Sequence, residues 1–321
     1  MTKRPLFPAS LAWISLAAAF IAPAQARAAA GADPLEFLFL DSAGRPAALG
    51  GAYSALAEDA AALSYNPAGL ARVRRSEAVF MHHRHFEGIF QDILHIASPV
   101  GWGLGLNYLN FGDIDRTSLS LPDGGLGRAA SYDLALSGGY GWRVSEDLAL
   151  GAAAKYLRES VDVVRAHGVA FDLGAQYRAP FLPGLTLAAV ARHLGPRIKY
   201  EVAKHNLPTT FSAGAAYAAP ILGQDSALTL ELSKPRNDDL LVAAGVETRV
   251  SALALRIGYS ARNEAGLGIT AGFGLDLRSV SLDYAIVPYG GLGYSHRIST
   301  TIRWGAVSAG TPASAPAKRL D

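Results

Sequence analysis

From Ser76 onward, large apolar residues alternate with small or polar ones over about ten residues at a time, a period of two that predicts β-strands with one apolar and one polar face. The clearest run sets Leu134, Leu136, Gly138, Tyr140, Trp142 and Val144 against Ala135, Ser137, Gly139, Gly141 and Arg143. After the turn Ser145-Glu146-Asp147, Leu148, Leu150, Ala152, Ala154 and Tyr156 repeat the pattern, which predicts a hairpin. Such runs cover 76–84, 88–97, 101–111, 130–144, 148–159, 165–178, 184–194, 207–218, 226–235, 239–249, 253–262, 266–278, 280–288 and 293–304, fourteen in all. The connections after even-numbered strands are mostly compact, as at Ser98-Pro99-Val100 and at Ser279, whereas Gly112 to Ala129 and Gly195 to Asn206, after odd-numbered ones, are long. Short periplasmic turns, longer outer loops and aromatics near strand ends fit a transmembrane antiparallel β-barrel, with both chain ends expected on the periplasmic side.

The stretch from Arg45 to Ala71 breaks the alternation. Its small residues favour a helix over Ala52 to Leu63, between a Gly50-Gly51 hinge and the turn signal Asn66-Pro67-Ala68-Gly69. It reads as a plug, a hatch inside the lumen. The apolar run Leu35 to Leu40 leads into it as a short strand or a helical turn, two states that periodicity alone does not separate.

Composition narrows the class. The 321 residues are 50% apolar and 17% charged, with 34 glycines, which excludes a disordered chain. A net charge of +2 with dispersed basic residues leaves no footprint for nucleic acid. Absence of cysteine removes disulfides, thiolate catalysis and cysteine-based metal sites. Lys3 and Arg4, the apolar run Leu11 to Ala22 and then Ala24-Gln25-Ala26 form a secretory signal pattern, with a second cleavage site after Ala30. No later segment is long and apolar enough for a spanning helix, so a membrane protein of this sequence spans as a closed barrel. The expected organisation is a signal peptide over 1–26, a hatch over 27–75, a barrel over 76–304 and a disordered tail over 305–321.

Candidate chemistry is sparse. The predicted inner face carries Asp172, Gln176, Arg178, Arg192, Glu231, Glu247, Arg249, Arg256, Asp276, Arg278, Asp283, Arg297 and Arg303, a lumen that is small and charged rather than apolar. His83 and His85 share a strand face while His82 points away, and no carboxylate pattern completes a metal site. Ser295, His296 and Asp283 are the nearest approach to a catalytic triad, but Ser295 and His296 face opposite sides. Glu58 and Asp59 are adjacent, so they do not face one another as an acid pair, and a capping or solvated role is expected. The expectation is a non-enzymatic protein without cofactor or metal.

The chain resembles the PorV/PorQ family of outer-membrane proteins, within the broader class of FadL-like barrels. The resemblance rests on Ala48-Leu49-Gly50-Gly51-Ala52-Tyr53, Glu58-Asp59, Asn66-Pro67-Ala68-Gly69-Leu70, Leu207-Pro208, and Ala285 to Gly290 with His296 to Ser299. Tyr65 stands where the family often has Trp, and Glu58 where it often has Asp. What the resemblance implies is a fourteen-stranded barrel in the bacterial outer membrane, surrounded by lipid and inserted by the barrel-assembly machinery, with an N-terminal hatch. Gly50, Gly51, Glu58, Asp59, Asn66, Pro67, Ala68 and Gly69 are its candidate hatch motif. Two duties follow from it: partnership in secretion or surface attachment of cargo proteins, or, as in FadL-like members, passage of hydrophobic small molecules.

Overall fold

The computed structural model describes residues 34–200, 203–263 and 265–308. Fourteen antiparallel strands close into a barrel: β1 (Ser76–Arg84), β2 (Phe90–Ala97), β3 (Trp102–Asp115), β4 (Arg128–Arg143), β5 (Leu148–Val161), β6 (Val164–Arg178), β7 (Leu185–Leu194), β10 (Thr210–Ile221), β11 (Gln224–Pro235), β12 (Leu241–Val250), β13 (Leu253–Ser260), β14 (Ile269–Asp276), β15 (Val280–Pro288) and β16 (Tyr294–Trp304). The first and last strands pair from Ser76 opposite Trp304 to Arg84 opposite His296, so no edge is left open. All fourteen predicted strands are present. Two small strands, β8 (Ile198–Tyr200) and β9 (Ala203–His205), form a separate hairpin within what the sequence suggested was a plain loop from Gly195 to Asn206. The loop from Gly112 to Ala129 is likewise shorter than expected. β3 continues to Asp115 beyond a bulge between Asn110 and Asp113.

Alternation sorts the faces. Leu104, Leu136, Leu150, Phe171, Leu230, Ile257, Phe273 and Ile298 stand exposed outside. Their partners in the pleat, among them Asp172, Gln176, Glu231, Glu247, Arg256 and Arg297, are buried inside. Tyr140 and Trp142, their rings 5.1 Å apart, lie outside near one end, and Phe90, Tyr108 and Tyr132 form an aromatic row near the other. The strand lengths, the outward apolar band and the two aromatic levels fit a bilayer-spanning wall. No described helix is long and apolar enough to cross a membrane, which says nothing of strands.

The barrel has a turn end, with the short connections and the two barrel termini, and a loop end. Residues 34–75 thread the lumen between them, from an apolar cluster with Leu109, Ile198 and Leu207 near the loop end down to β1 at the turn end. Ser76 and Trp304, the two ends of the barrel, lie side by side at the turn end, while the first described residues of the hatch lie at the loop end; the N-terminal chain end itself is outside the described residues. Leu35 to Leu40 resolves as a 3-10 turn, Glu36–Phe39. The helix expected over Ala52 to Leu63 does not form; short helices occupy Gly44–Ala48 and Ala62–Tyr65, and a 3-10 helix occupies Pro67–Arg72.

Wall side chains supply the reason. Glu231 accepts from the Tyr53 and Ser54 amides (3.1 and 2.9 Å), and Glu77 accepts from the Ala60 amide (2.5 Å). Gln176 donates to the Ser54 and Ala57 carbonyls, both at 2.9 Å. A backbone whose donors and acceptors are satisfied by the wall has no need of the helical ladder, and propensity is overridden.

Candidate functional site

The hatch sits on two seats almost opposite each other around the ring. Gly141, Gly151 and Gly174 are paired neighbours on β4, β5 and β6, and together they make a shallow slot. A Cβ on Gly151 would collide with the Pro67–Ala68 backbone, one on Gly141 with the Ala71 amide, and one on Gly174 with the Asn66 side chain. Gly245 and Gly258 pair on β12 and β13, where they receive Leu49 and Gly50, and Gly272 on β14 receives Ala48. Only hydrogen atoms at these six wall positions let the hatch backbone reach the strands.

The expected motif residues take up defined posts in this arrangement. Gly50 and Gly51 adopt left-handed φ of 66° and 83°, and their amides donate to the Ala47 and Pro46 carbonyls, ending the Gly44–Ala48 helix as a C-cap. Asn66 is fully buried. Its Oδ1 accepts from the Ala68 amide at 3.1 Å, and its Nδ2 donates to the Ser54 and Ala175 carbonyls at 3.0 and 3.1 Å. Pro67 and Ala68 lie on Gly151, and Gly69 is pressed so close to the Ala57 carbonyl that a side chain would clash. Glu58 keeps a solvated position in a funnel at the turn end, whereas Asp59 is drawn into a network with Tyr53 and Arg45. Glu58 accepts from Arg178 at 2.6 Å, and Asp59 takes the Tyr53 hydroxyl at 2.5 Å with Arg45 3.8 Å away.

Asp59 belongs to a charge network that ties the hatch to β12–β15. Arg45 and Arg256 both reach Glu247, at 2.8 and 2.6 Å, and Arg256 continues to Asp283 at 2.7 Å. Burial raises the Asp59 carboxyl above its usual range against the pull of Arg45, and burial likewise raises the Tyr53 phenol. Burial alone would lower Arg45, but Glu247, Tyr53 and Asp59 outweigh it and hold its guanidinium charged. Asp283 is thus bound to Arg256 and takes no part in a triad. Ser295 is buried and bonded to His83 across the β1–β16 seam, while His296 lies outside on Tyr284. His83 and His85 do share a face, their rings 3.6 Å apart, and among the described residues no group of three or more His, Cys, Asp or Glu could hold a metal.

Two cavities flank the hatch. At the turn end a funnel of about 960 Å³ carries the charged residues Arg72, Arg178, Arg249, Arg303, Glu58 and Asp276 among apolar ones such as Leu56, Val79, Leu185 and Leu275. At the loop end a vestibule of about 680 Å³ opens above the Glu36–Phe39 turn. Its apolar lining is Leu35, Phe37, Phe39, Phe86, Ile89 and Phe111. Arg262 lies over the Phe39 ring at 4.2 Å. Burial, with Arg192 nearby, lowers the Arg262 guanidinium to about 10. Asp133, Glu159, His85 and Glu36 add polar groups to the same space, as do the Asp41–Arg297 and Asp238–Arg262 ion pairs. Sequence patterning marked the apolar run Leu35 to Leu40 but had no means of joining it to Phe86 and Phe111 or of singling out Asp133 and Glu159, because the vestibule forms only when the N-terminal segment folds up to the rim.

Comparison with solved structures brings forward channels of one architecture. The CymD monoaromatic hydrocarbon channel aligns with a TM-score of 0.59 at 13% identity, covering 83% of this chain and 98% of that one. A Pseudomonas aeruginosa FadL homologue aligns at 0.52 and 11%, covering 82% and 98%. The Pseudomonas putida toluene transporter TodX aligns at 0.51 and 14%, covering 82% and 97%. The barrel shares the fold of these FadL-type channels. At these identities the likeness concerns the fold. Residues 12–155 also match a family described as Uncharacterised protein family (UPF0164). No curated protein matches the chain. The fold named by the sequence resemblance is thereby matched, whereas none of these comparisons names the PorV/PorQ family.

Proposed function

We propose that this chain is a non-enzymatic outer-membrane barrel that passively admits small hydrophobic molecules, with the loop end outward and the vestibule as the entry site. The observation that carries this reading is the vestibule itself, an apolar concavity of about 680 Å³ at the mouth of a lumen that is otherwise charged. Ligand sites are concave, mostly apolar and provided with a few placed polar groups, and this one has that character. The similar channels, two of them described as carrying monoaromatic hydrocarbon or toluene, support uptake over partnership in secretion. In the present conformation the hatch occupies the lumen below the vestibule, so passage requires the hatch or the wall to rearrange.

The test is uptake of a volatile monoaromatic and of a polar sugar by proteoliposomes containing the purified barrel. Faster entry of the aromatic alone, reduced by Phe37→Asp, supports the reading. Equal entry of both solutes, or none of either, overturns it. Recovery of secreted proteins with the barrel from outer membranes, with uptake unchanged in a deletion strain, would favour the secretion partner instead.

A further inference from the structure

Asp133 on β4 is the unexpected group in the vestibule. It is 3% exposed and directly opposite both Leu109 on β3 and Glu159 on β5. Its surroundings are apolar: Leu35, Phe37, Leu109, Ala135 and Leu157 pack as one buried cluster, with Phe111 and Tyr200 against it. Asp133 Oδ1 is buried and has no hydrogen-bond partner. Glu159 accepts from the Tyr200 hydroxyl at 2.5 Å, so it is held in place, yet it too lacks a cationic partner. Among the described residues no Lys, Arg or His is ion-paired with either carboxyl. The cations nearest in sequence are engaged elsewhere, Lys155 with Asp172 at 2.6 Å and Arg158 outside the barrel on the Tyr132 ring at 5.5 Å.

Two carboxyl groups side by side in an apolar pocket, with one oxygen left without a donor, are costly unless something bound there supplies hydrogen and positive charge. The apolar lining says what the rest of that partner must be. We propose that the vestibule binds the protonated amine of a small amphipathic ligand, its ammonium between Asp133 and Glu159 and its apolar body on Phe37 and Phe111. The preference is for a cation over a neutral or anionic molecule of equal shape, because only the cation answers both carboxyls. This inference rests on the vestibule being a site for apolar solutes and names their class more closely.

The experiment is calorimetric titration of the purified full-length barrel, in non-ionic detergent at neutral pH, with four probes of similar shape: phenethylammonium, phenethyl alcohol, propylbenzene and hydrocinnamate. Binding of phenethylammonium on the order of tenfold tighter than of the alcohol is expected, the worth of one charge-assisted hydrogen bond. Asp133→Asn and Glu159→Gln, which keep shape and remove charge, are expected to abolish that preference while retaining the alcohol and propylbenzene. The heat-dependent shift in gel mobility verifies that each variant is folded. If the alcohol or propylbenzene binds and phenethylammonium binds no better, the amine inference fails and the hydrophobic entry site stands. Tightest binding of hydrocinnamate overturns the inference in the same way. If no probe binds the wild type, the entry-site reading fails and the inference with it.

Discussion

Individual residues hold the hatch by occupying places that no other side chain fills. Asn66 satisfies one amide and two carbonyls from a fully buried position, and one of those carbonyls belongs to β6, more than a hundred residues away. Asn66→Ala leaves these groups unpaired in the interior, where each costs about 1–3 kcal/mol. The expected outcome is faster proteolysis within residues 45–71 and raised conductance in planar bilayers, and unchanged values of both would remove Asn66 from the anchoring set. Gly151→Val acts from the opposite partner. The added side chain enters the Pro67–Ala68 backbone, and overpacking of this kind costs about 1–3 kcal/mol or more. It should free the hatch as Asn66→Ala does while leaving the strands closed, visible as the same proteolysis with unchanged β circular dichroism. Glu247 joins Arg45 of the hatch to Arg249 and Arg256 of the wall, so Glu247→Gln leaves three guanidinium groups short of a counter-charge. Loss of one partner of a buried pair costs about 3–5 kcal/mol, and a lowered midpoint of thermal unfolding is the expected reading.

At the scale of elements, the hatch and the rim differ in what fixes them. Ala52 to Leu63 has the composition of a helix and adopts turns, because its amides and carbonyls find Glu231, Glu77 and Gln176 before they find one another. The connection after β1 is held by its own aromatic contacts. His85 packs within 6.3 Å of Tyr289 and beside Phe86, and burial reinforced by Arg297 lowers its imidazole from 6.5 to about 4. An unfolded chain binds this proton near pH 6.5 and the folded one only near 4, so the native state binds fewer protons in between. The stability contributed by neutral His85 is therefore full above pH 6.5 and lost as the pH falls through about 4. Hydrogen exchange in residues 85–89 should accelerate across that interval, and His85→Gln should flatten the change. A flat profile in the wild type would count against it.

On the scale of the whole molecule, closure of the sheet between β1 and β16 joins residues that are more than two hundred positions apart, and it leaves every barrel strand with two neighbours. A closed barrel resists detergent until heated, so a band that runs faster before boiling than after is expected, together with recovery in the outer-membrane fraction. A soluble periplasmic protein of unchanged mobility would refute the membrane reading. The signal peptide expected over 1–26 lies outside the described residues, as does most of the expected tail from 305 to 321. The likeness to FadL-type channels gives the architecture, while the chemistry of the vestibule is particular to these side chains.

The number of strands, their approximate limits and the face each residue presents were legible in the order of residues alone. A wall between lipid and lumen imposes a two-residue period that local patterning records directly, as in Leu134 to Val144. The bonds that settle the hatch are not local. Asn66 meets β6, Arg45 meets β12 and Gly50 meets β13, contacts no window of sequence contains. Gly141, Gly151 and Gly174 look alike in sequence to any other strand glycine and become a slot only when pairing brings them level. Asp133 draws no notice in the sequence and gains its meaning only from the apolar cluster of Leu35, Phe37 and Leu109 that folding builds around it. Tertiary structure decided these things because it alone brings together groups that are distant along the chain.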